Sequence, residues 1–380
     1  MTSVKGTLSL IVGIAVGLCL APSDLWAQGC VAVRGGATCS MGGGSMINLK
    51  EGAWNLTTGI RYFQSYKHFR GPHEETFRVE QGTEVINNTT FLDINANYGI
   101  TDRLFATAIV PLAHNDRSSL YEHGGNPRFD ANGALIGTWA GSRHWTSSAG
   151  LGDVRLSLGY WLFEPTEHEY NYAVSVGVKL PTGASDVTGN FYNQGTNRDQ
   201  VVEGVVDQSI QLGDGGWGAT FDVQGVHPLS ESITLVTNLS YMANVTNTNG
   251  VRVRSAADTW TLDSAEFTSA DQFGARLGAF YSFGHTWSAY LGARAEGVPS
   301  SDLIGDSQGF RRPGHAVSIE PGINYMSSGL NIFASVPIAV YRERTQSHLD
   351  KLRSAARGTE VIGDAAFADF LINVGVTVAL

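Results

Sequence analysis

The sequence predicts an all-β fold, a closed antiparallel transmembrane β-barrel of about twelve strands with long extracellular loops and short periplasmic turns. From Gly52 onward, apolar residues recur at every second position in segments of about ten residues, which is the pattern of strands. The connections between these segments alternate between long and short. After the N-terminal leader, no stretch stays apolar over the roughly 20 residues that a membrane-spanning helix needs, so this chain would have to cross a membrane as a barrel.

The composition favours one large sheet over several water-soluble domains. Charged residues make up 16% of the 380 residues, hydrophobic residues make up 42%, and 46 residues are glycine. These proportions are not those of a water-soluble α/β enzyme. The net charge of −10 argues against a nucleic-acid partner, because such a partner requires a basic surface.

The first residues are typical of a secretory signal peptide. Lys5 precedes an apolar run from Leu8 to Ala21, and small residues continue to Ala27. We therefore expect residues 1–27 to be removed by cleavage after Ala27. Cleavage after Ser23 is the alternative.

The segment 28–51 precedes the predicted barrel, which spans residues 52–380. It is glycine-rich and polar and contains no good strand. It either folds into the lumen as a periplasmic plug or stays free in the periplasm. Cys30 and Cys39 lie close together in an exported, oxidising setting, so we expect a disulfide between them.

The alternation is visible along each predicted strand. In the first, one face carries Trp54, Leu56, Thr58, Ile60 and Tyr62, and the other carries Asn55, Thr57, Gly59 and Arg61. The following predicted strands are Leu92 to Tyr98, Leu104 to Leu112, Asp153 to Leu162, Ala173 to Leu180, Trp217 to Gly225, Ile233 to Val245, Phe273 to Phe283, Trp287 to Ala295, Val317 to Tyr325, Leu330 to Tyr341 and Phe367 to Leu380.

The connections predict the orientation of the barrel. The long ones are His68 to Thr83, His114 to Gly150, Pro181 to Gly216, Thr246 to Gln272, Gly297 to Ala316 and Arg342 to Ala366. The short ones are Gly99 to Arg103, Phe163 to Tyr170, His227 to Glu231, Gly284 to Thr286 and Ser327 to Gly329. Because long loops follow odd-numbered strands, both ends of the barrel chain are expected on the periplasmic side.

A soluble β-sandwich or surface adhesin is the alternative fold, since its strands also alternate. The outward faces argue against it, because they are apolar throughout the series. Aromatic residues also lie near the segment ends, where the interfacial girdles of barrels are found. They are Trp54, Tyr98, Tyr160, Trp161, Trp217, Tyr241, Tyr281, Trp287, Tyr325 and Tyr341.

The last predicted strand carries a pattern that resembles the signal recognised by the barrel-insertion machinery of the outer membrane. Asn373, Gly375, Val378 and Leu380 fit its polar-x-Gly-x-x-hydrophobic-x-hydrophobic form, with Leu380 in place of the usual Phe. We therefore expect this machinery, outer-membrane lipids and lipopolysaccharide as partners.

Pro321 and Pro337 fall inside predicted strands, where a proline leaves a ladder hydrogen bond unmade. We expect bulges or loosened pairing at both positions. If these two segments are not strands, the count falls to about ten.

Three stretches resemble a family of outer-membrane transporters of the phenol meta-degradation pathway. They are Gly150 to Phe163, Val176 to Gly183 and Asp207 to Gln224, and the positions Pro321, Gly322, Tyr325, Val336 and Pro337 are also similar to the family's closing strands. The resemblance implies an outer-membrane channel that passes hydrophobic aromatic compounds.

The face opposite the apolar one is expected to line the lumen. The lumen-lining candidates are Arg61, Asp93, Asn95, Asp153, Arg155, Lys179, Asp222, Arg276, Arg294 and Glu320. Two interpretations remain open. These residues set the ion preference of a water-filled pore, or they form a wall of salt bridges that fills a narrow barrel.

Two other functions compete with a channel. An outer-membrane lipid hydrolase needs a His beside a Ser nucleophile, and the nearest candidate, His315 with Ser318, has the wrong spacing along one strand face. A structural or partner-anchoring barrel would use a basic cluster that meets lipopolysaccharide phosphates or an acidic partner. The cluster consists of Arg342, Arg344, Lys351, Arg353 and Arg357.

The sequence thus favours a monomeric outer-membrane channel for passive passage of small hydrophobic or aromatic solutes. We expect no catalytic residues, no metal and no cofactor. No His-Glu-x-x-His motif is present in the chain.

Overall fold

The computed structural model describes residues 49–124, 128–129, 135–137, 143–256 and 260–380. The expected signal peptide, most of the segment 28–51 and the expected Cys30–Cys39 disulfide lie outside the described residues. The signal peptide, the plug and the disulfide therefore stay predictions.

Twelve antiparallel strands close into a barrel, as predicted. They are β1 Trp54–Arg70, β2 Ile86–Gly99, β3 Leu104–Ser118, β4 in two segments Trp145–Leu151 and Arg155–Trp161, β5 Asn171–Lys179, β6 Gly218–Pro228, β7 Ile233–Asn244, β8 Gln272–Phe283, β9 Trp287–Val298, β10 Gly314–Ser327, β11 in two segments Leu330–Ser335 and Ile338–Arg344, and β12 Ala365–Ala379. Each strand pairs with the next in sequence, and β12 pairs back with β1 from Ala379 opposite Asn55 to Ala365 opposite Phe69.

Short elements lie in the long loops. The minor strands are His73–Glu74, Arg128–Phe129, Leu135–Gly137, Thr188–Gln194, Gln200–Val205, Thr248–Arg252 and Glu266–Thr268, and the 3-10 turns are Tyr121–His123, Gln208–Ile210 and Asp263–Ala265. The α-helices are α1 Phe77–Glu80 and α2 His348–Arg357. Helix α2 begins with a capping box between Ser347 and Asp350 and ends at Gly358 in the left-handed conformation.

No helix in the described part of the chain combines the length and the apolar character needed to cross a membrane.

The predicted alternation of connections is confirmed, and it gives the barrel two different ends. At the short-turn end the connections are residues 100–103, 162–170, 229–232, 284–286 and 328–329. At the long-loop end they are residues 71–85, 119–144, 180–217, 245–271, 299–313 and 345–364.

Several strands extend further into the long-loop end than predicted. β3 continues to Ser118, although a loop was expected from His114, and Trp145–Leu151 is a strand rather than loop. The outward positions of these extensions include His114 and Asp116, which are polar. The hydrogen-bonded ladder therefore continues beyond the apolar alternation from which the strand ends were predicted.

The two faces of the sheet are chemically distinct, as predicted for β1. Outward side chains such as Leu291 and Val176 are 61% and 59% exposed, whereas inward Thr57 and Asp93 are 1% and 2% exposed. Most of the predicted girdle residues are exposed on the outer face. Trp161 was wrongly placed in this girdle, because it follows the outward Tyr160 by one residue and therefore points inward.

The two strand prolines lie on neighbouring strands at nearly the same height. Pro337 separates the two segments of β11, which is the expected loosening. At Pro321 the ladder to β9 continues through Leu291, and only the pairing towards β11 lapses. The carbonyls of Pro321 and Pro337 still accept hydrogen bonds at 3.0 Å from Val336 N and Leu371 N, so both strands remain part of the barrel.

Candidate functional site: the barrel lumen

The lumen wall is the candidate site, since most of the polar residues predicted for it lie on the inner face. All of them except Asp153 lie within strands and alternate with outward apolar neighbours. Asp153 sits between the two segments of β4. The alternation along the strands therefore directs these side chains inward, and their function stays a prediction.

Two arginines of the wall each combine one carboxylate with one aromatic ring. Arg61 is 3.7 Å from Asp93, and its guanidinium lies over the ring of Phe91 at 4.4 Å. Arg276 Nε is 2.7 Å from Glu320 Oε2 and lies over a second ring at 4.5 Å, that of Tyr290. Such stacking over an aromatic face stabilises a guanidinium that has lost part of its hydration.

Lys179 belongs to a three-membered cluster near the long-loop end. Its ammonium is 3.5 Å from Asp153 and forms an ion pair with Asp214. Asp153 also accepts backbone hydrogen bonds from Gly183 N at 2.9 Å and Asp214 N at 3.2 Å. Asp214 was not predicted, because it lies in the loop 180–217, where strand periodicity gives no direction for a side chain.

The remaining candidates are arranged less tightly. Arg294 pairs with Glu296, which shares its inward face but lies one residue beyond the predicted end of the strand. Arg155 and Asp222 interact electrostatically, but no ion pair within 4 Å joins them in the described part of the chain. Asn95 is 8% exposed and points inward beside Asp93.

Apolar clusters on the inner face are a feature that the sequence reasoning missed. One cluster joins β1, β2, β3 and β12, a second joins β8, β9 and β11, and a third joins β3, β4 and β5. Their buried members are Phe63, Phe91, Ala113 and Leu371, then Phe280, Tyr290 and Phe333, then Phe105, Trp161 and Ala173. The alternation along each strand already places these residues on the inner face. They were missed because the lumen was expected to be polar throughout.

Gly375 of the predicted insertion signal makes room for one of these clusters. A Cβ at this position would overlap the ring of Phe333 on the neighbouring strand. Asn373 faces Arg61 across the β12–β1 pair, and Leu380 is exposed at the short-turn end. Recognition by the insertion machinery remains a prediction, but Gly375 also has a packing role.

The predicted basic cluster of the last long loop is partly neutralised. Arg342 pairs with Asp369 at 2.6 Å, and Arg344 pairs with Asp350 at 2.9 Å. Arg353 lies over the ring of Trp260 at 5.2 Å. Lys351 and Arg357 are exposed on α2, so the surface offered to an anionic partner is smaller than the sequence suggested.

The long loops are tied together by buried ion pairs around Asp207. Its carboxylate lies 3.5 Å from Arg117 of β3 and 2.6 Å from Arg312 of the loop 299–313. Burial alone would raise the pKa of Asp207, but the two guanidinium groups hold the pKa of this carboxyl well below its usual range. Two long loops are thereby joined to each other and to the end of β3.

A second contact between loops is built around His123, which is fully buried. Tyr192 N donates to its Nδ1 at 3.1 Å, and the ring of Phe191 stacks on it at 5.6 Å between centroids. Burial, with the neighbouring His144, Arg254 and Arg117, lowers the pKa of His123 from 6.5 to about 4. The imidazole is therefore neutral in the closed loops.

Comparisons with known proteins identify the fold. No protein-family model matches the chain, and no curated protein matches it. Among solved structures, the COG4313 outer membrane channel from Pseudomonas putida F1 is similar with a TM-score of 0.52 at 16% sequence identity, over 89% of this chain and 99% of that chain. A Pseudomonas aeruginosa FadL homologue matches with a TM-score of 0.40 at 10% identity, over 87% of this chain and 90% of that chain. The chain shares its barrel fold with the first of these channels.

Removing Glu320 is expected to destabilise the barrel. Glu320 is 1% exposed, and its loss leaves Arg276 without its carboxylate, so Glu320→Ala should lower the free energy of unfolding by about 3–5 kcal/mol. The double variant Glu320→Leu with Arg276→Met should recover most of this loss. Equilibrium unfolding in urea, with the protein in lipid vesicles, measures the free energy of unfolding of both variants. A Glu320→Ala variant as stable as wild type would contradict a stabilising role of the ion pair between Arg276 and Glu320.

Acid is expected to loosen the loops around His123. The pKa of His123 is about 4 in the closed loops and 6.5 in the open chain. The stability that neutral His123 gives to the closed loops is therefore complete above pH 6.5 and is lost as the pH falls towards 4. Hydrogen exchange of the Tyr192 amide, corrected for intrinsic rates, should rise at least about tenfold over this window. His123→Gln should abolish the pH dependence; an unchanged profile in this variant would refute the role of His123.

Proposed function

We propose that this chain is an outer-membrane channel through which small hydrophobic or aromatic solutes pass passively. The observation that carries the proposal is the chemistry of the lumen wall, which combines buried aromatic clusters with cations that, except for Arg155, lie within 4 Å of a carboxylate. Paired charges generate little net field, so the wall does not favour one sign of ion. The aromatic faces offer an apolar solute contacts that water cannot replace.

The outer face supports placement in the bacterial outer membrane. Its side chains are mostly apolar up to the polar strand extensions of the long-loop end, and Trp54, Trp217, Tyr281 and Trp287 lie at the ends of the strands, at the level expected for membrane interfaces. Every strand finds a partner on both sides, so no backbone edge meets lipid. In this placement the short turns face the periplasm, outer-membrane lipids and lipopolysaccharide surround the barrel, and the insertion machinery recognises β12.

The N-terminal parts of the chain complete the proposal. Residues 1–27 serve as a signal peptide, and residues 28–51 lead into β1 from the periplasmic side. Gly52 N donates to Gly99 O at 2.8 Å, so the chain enters the barrel at the short-turn end. There it is positioned either to enter the lumen as a plug or to remain in the periplasm.

The solute class rests on two independent considerations. The stretches Gly150 to Phe163 and Val176 to Gly183 resemble the transporters of the phenol meta-degradation pathway, and the inward aromatic rings suit a planar solute. The cluster of Phe63, Phe91 and Leu371, with Leu212 of a long loop against it, lies towards the outer end of the lumen. We assign to it the first contact with an entering aromatic molecule.

The proposal predicts uptake of a neutral aromatic compound by cells that carry this protein. A host without its own hydrocarbon channels should take up radiolabelled naphthalene several-fold faster with the wild-type chain than with an empty vector. Phe63→Asn should lower this uptake towards the empty-vector rate, because a polar amide replaces an apolar contact, whereas Phe63→Leu should retain it. Heat-modifiable mobility on gels verifies that each variant is folded.

Parallel measurements separate the competing functions. Uptake at the empty-vector rate together with hydrolysis of added phospholipid would contradict the channel and favour a lipid hydrolase. The absence of both uptake and hydrolysis would favour a structural or partner-anchoring barrel.

A further inference from the structure

The outer face of the barrel carries an apolar trough of about 620 Å³ near the short-turn end. It extends across β1 to β5. The outward side chains that line it are Trp54, Ala96, Tyr98, Ala106, Ala108, Leu156, Leu158, Val176 and Val178.

The trough exists because small side chains stand between large ones in adjoining rows of the sheet. In the row nearer the short turns, Ala106 of β3 lies between Tyr98 and Leu158. In the next row, Ala96 and Ala108 are neighbours on β2 and β3, and Leu156 and Val178 follow on β4 and β5. Registered pairing thus places three alanines side by side and forms a hollow with a wall on each side.

Aromatic rings and one cation border the trough at the short-turn end. Trp54 and Tyr98 are in contact, with ring centroids 4.6 Å apart. On the other side, the guanidinium of Arg103 lies over the ring of Tyr160 at 4.6 Å, one row below Leu158. Aromatic residues of this kind mark the headgroup level of a membrane.

Arg103 is held in place without being neutralised. Its Nε donates to Trp161 O at 2.9 Å and its Nη2 donates to Leu162 O at 2.6 Å, which fixes the guanidinium against the turn after β4. Nη1 donates to no atom in the described residues, and no carboxylate among them lies within 4 Å of this side chain. A cation in this state attracts a phosphate, which accepts hydrogen bonds from guanidinium donors.

We infer that this trough is a binding site for one phospholipid, with an acyl chain in the hollow and the phosphate at Arg103. The inference rests on the proposed placement in the outer membrane. There the short-turn end faces the periplasmic leaflet, which consists of phospholipid rather than lipopolysaccharide. The headgroup level set by Trp54, Tyr98 and Tyr160 then coincides with the height of Arg103.

Two other occupants fit the surface less well. A second copy of the chain would place one concave trough against another about a twofold axis and leave the hollow unfilled. A neutral transported solute would fill the hollow but would leave Arg103 without an anionic partner. Native mass spectrometry distinguishes both occupants from a phospholipid.

Native mass spectrometry of the full-length protein in detergent tests the site with two probes, palmitoyl-oleoyl-phosphatidylglycerol and the uncharged diacylglycerol with the same chains. The wild-type chain should retain one phosphatidylglycerol. Ala106→Phe with Ala108→Phe fills the hollow and should weaken retention of both lipids about tenfold or more. Arg103→Gln should weaken phosphatidylglycerol retention alone. Ala293→Phe, an outward exposed position on the opposite wall, is the matched control and should bind as wild type.

Several results would overturn the site. These are retention by the doubly filled variant equal to wild type, an equal loss in Ala293→Phe, or a dimer mass that disappears when the trough is filled. Equal retention of diacylglycerol and phosphatidylglycerol by the wild type would contradict the role of Arg103. Uptake of naphthalene by the filled variant should equal that of wild type. The measurement of lipid retention can therefore contradict the lipid site without contradicting the channel, and the measurement of uptake can contradict the channel without contradicting the lipid site.

Discussion

Closure of the sheet between β12 and β1 is the constraint on which the rest of the structure depends. Up to the polar strand extensions of the long-loop end, outward side chains are mostly apolar, so the backbone groups of an open edge would have no hydrogen-bond partner in an apolar surrounding. The pairing from Asn55 opposite Ala379 to Phe69 opposite Ala365 removes that edge. Closure also places every second side chain of twelve strands in one confined interior, so the inner wall has to be filled or satisfied.

The inner wall meets this demand with both ion pairs and apolar packing. The predicted cations of the wall, except Arg155, lie within 4 Å of a carboxylate. An isolated charge in a confined interior would lose hydration without compensation. Arg61 and Arg276 also gain an aromatic ring, which ties the ionic and apolar parts of the wall together. The same confined geometry therefore supports the barrel and creates a surface suited to apolar solutes. At the outer end, the ion pairs of Asp207 fix the loops over this surface.

Much of this architecture could be predicted because strand periodicity is a local property of the sequence. The twelve strands, their two faces and the two kinds of ends follow from alternation alone. The partners of the wall residues could not be predicted in the same way, because Asp214 reaches Lys179 from a loop and the pairing of Arg276 with Glu320 crosses from β8 to β10. The inward direction of Trp161 and Glu296 could have been predicted, because each lies an even number of positions from an inward residue of its own strand. The structure of the long loops depends on contacts between distant segments, for which the sequence carries no local signal.

Disulfide cross-linking between β1 and β12, which reports the register of these two strands, tests the closed barrel most directly. Thr57 and Thr377 face each other with their hydroxyl oxygens 2.8 Å apart, so Thr57→Cys with Thr377→Cys, in a chain whose Cys19, Cys30 and Cys39 are replaced by Ser, should form a disulfide in isolated membranes. The pair Thr57→Cys with Asn373→Cys is the control, because a shift of four residues along β12 separates the sulfurs by about 13 Å. Complete cross-linking of the first pair and none of the second is the expected result. No cross-link in the first pair, or equal cross-linking in both, would contradict a closed barrel in this register.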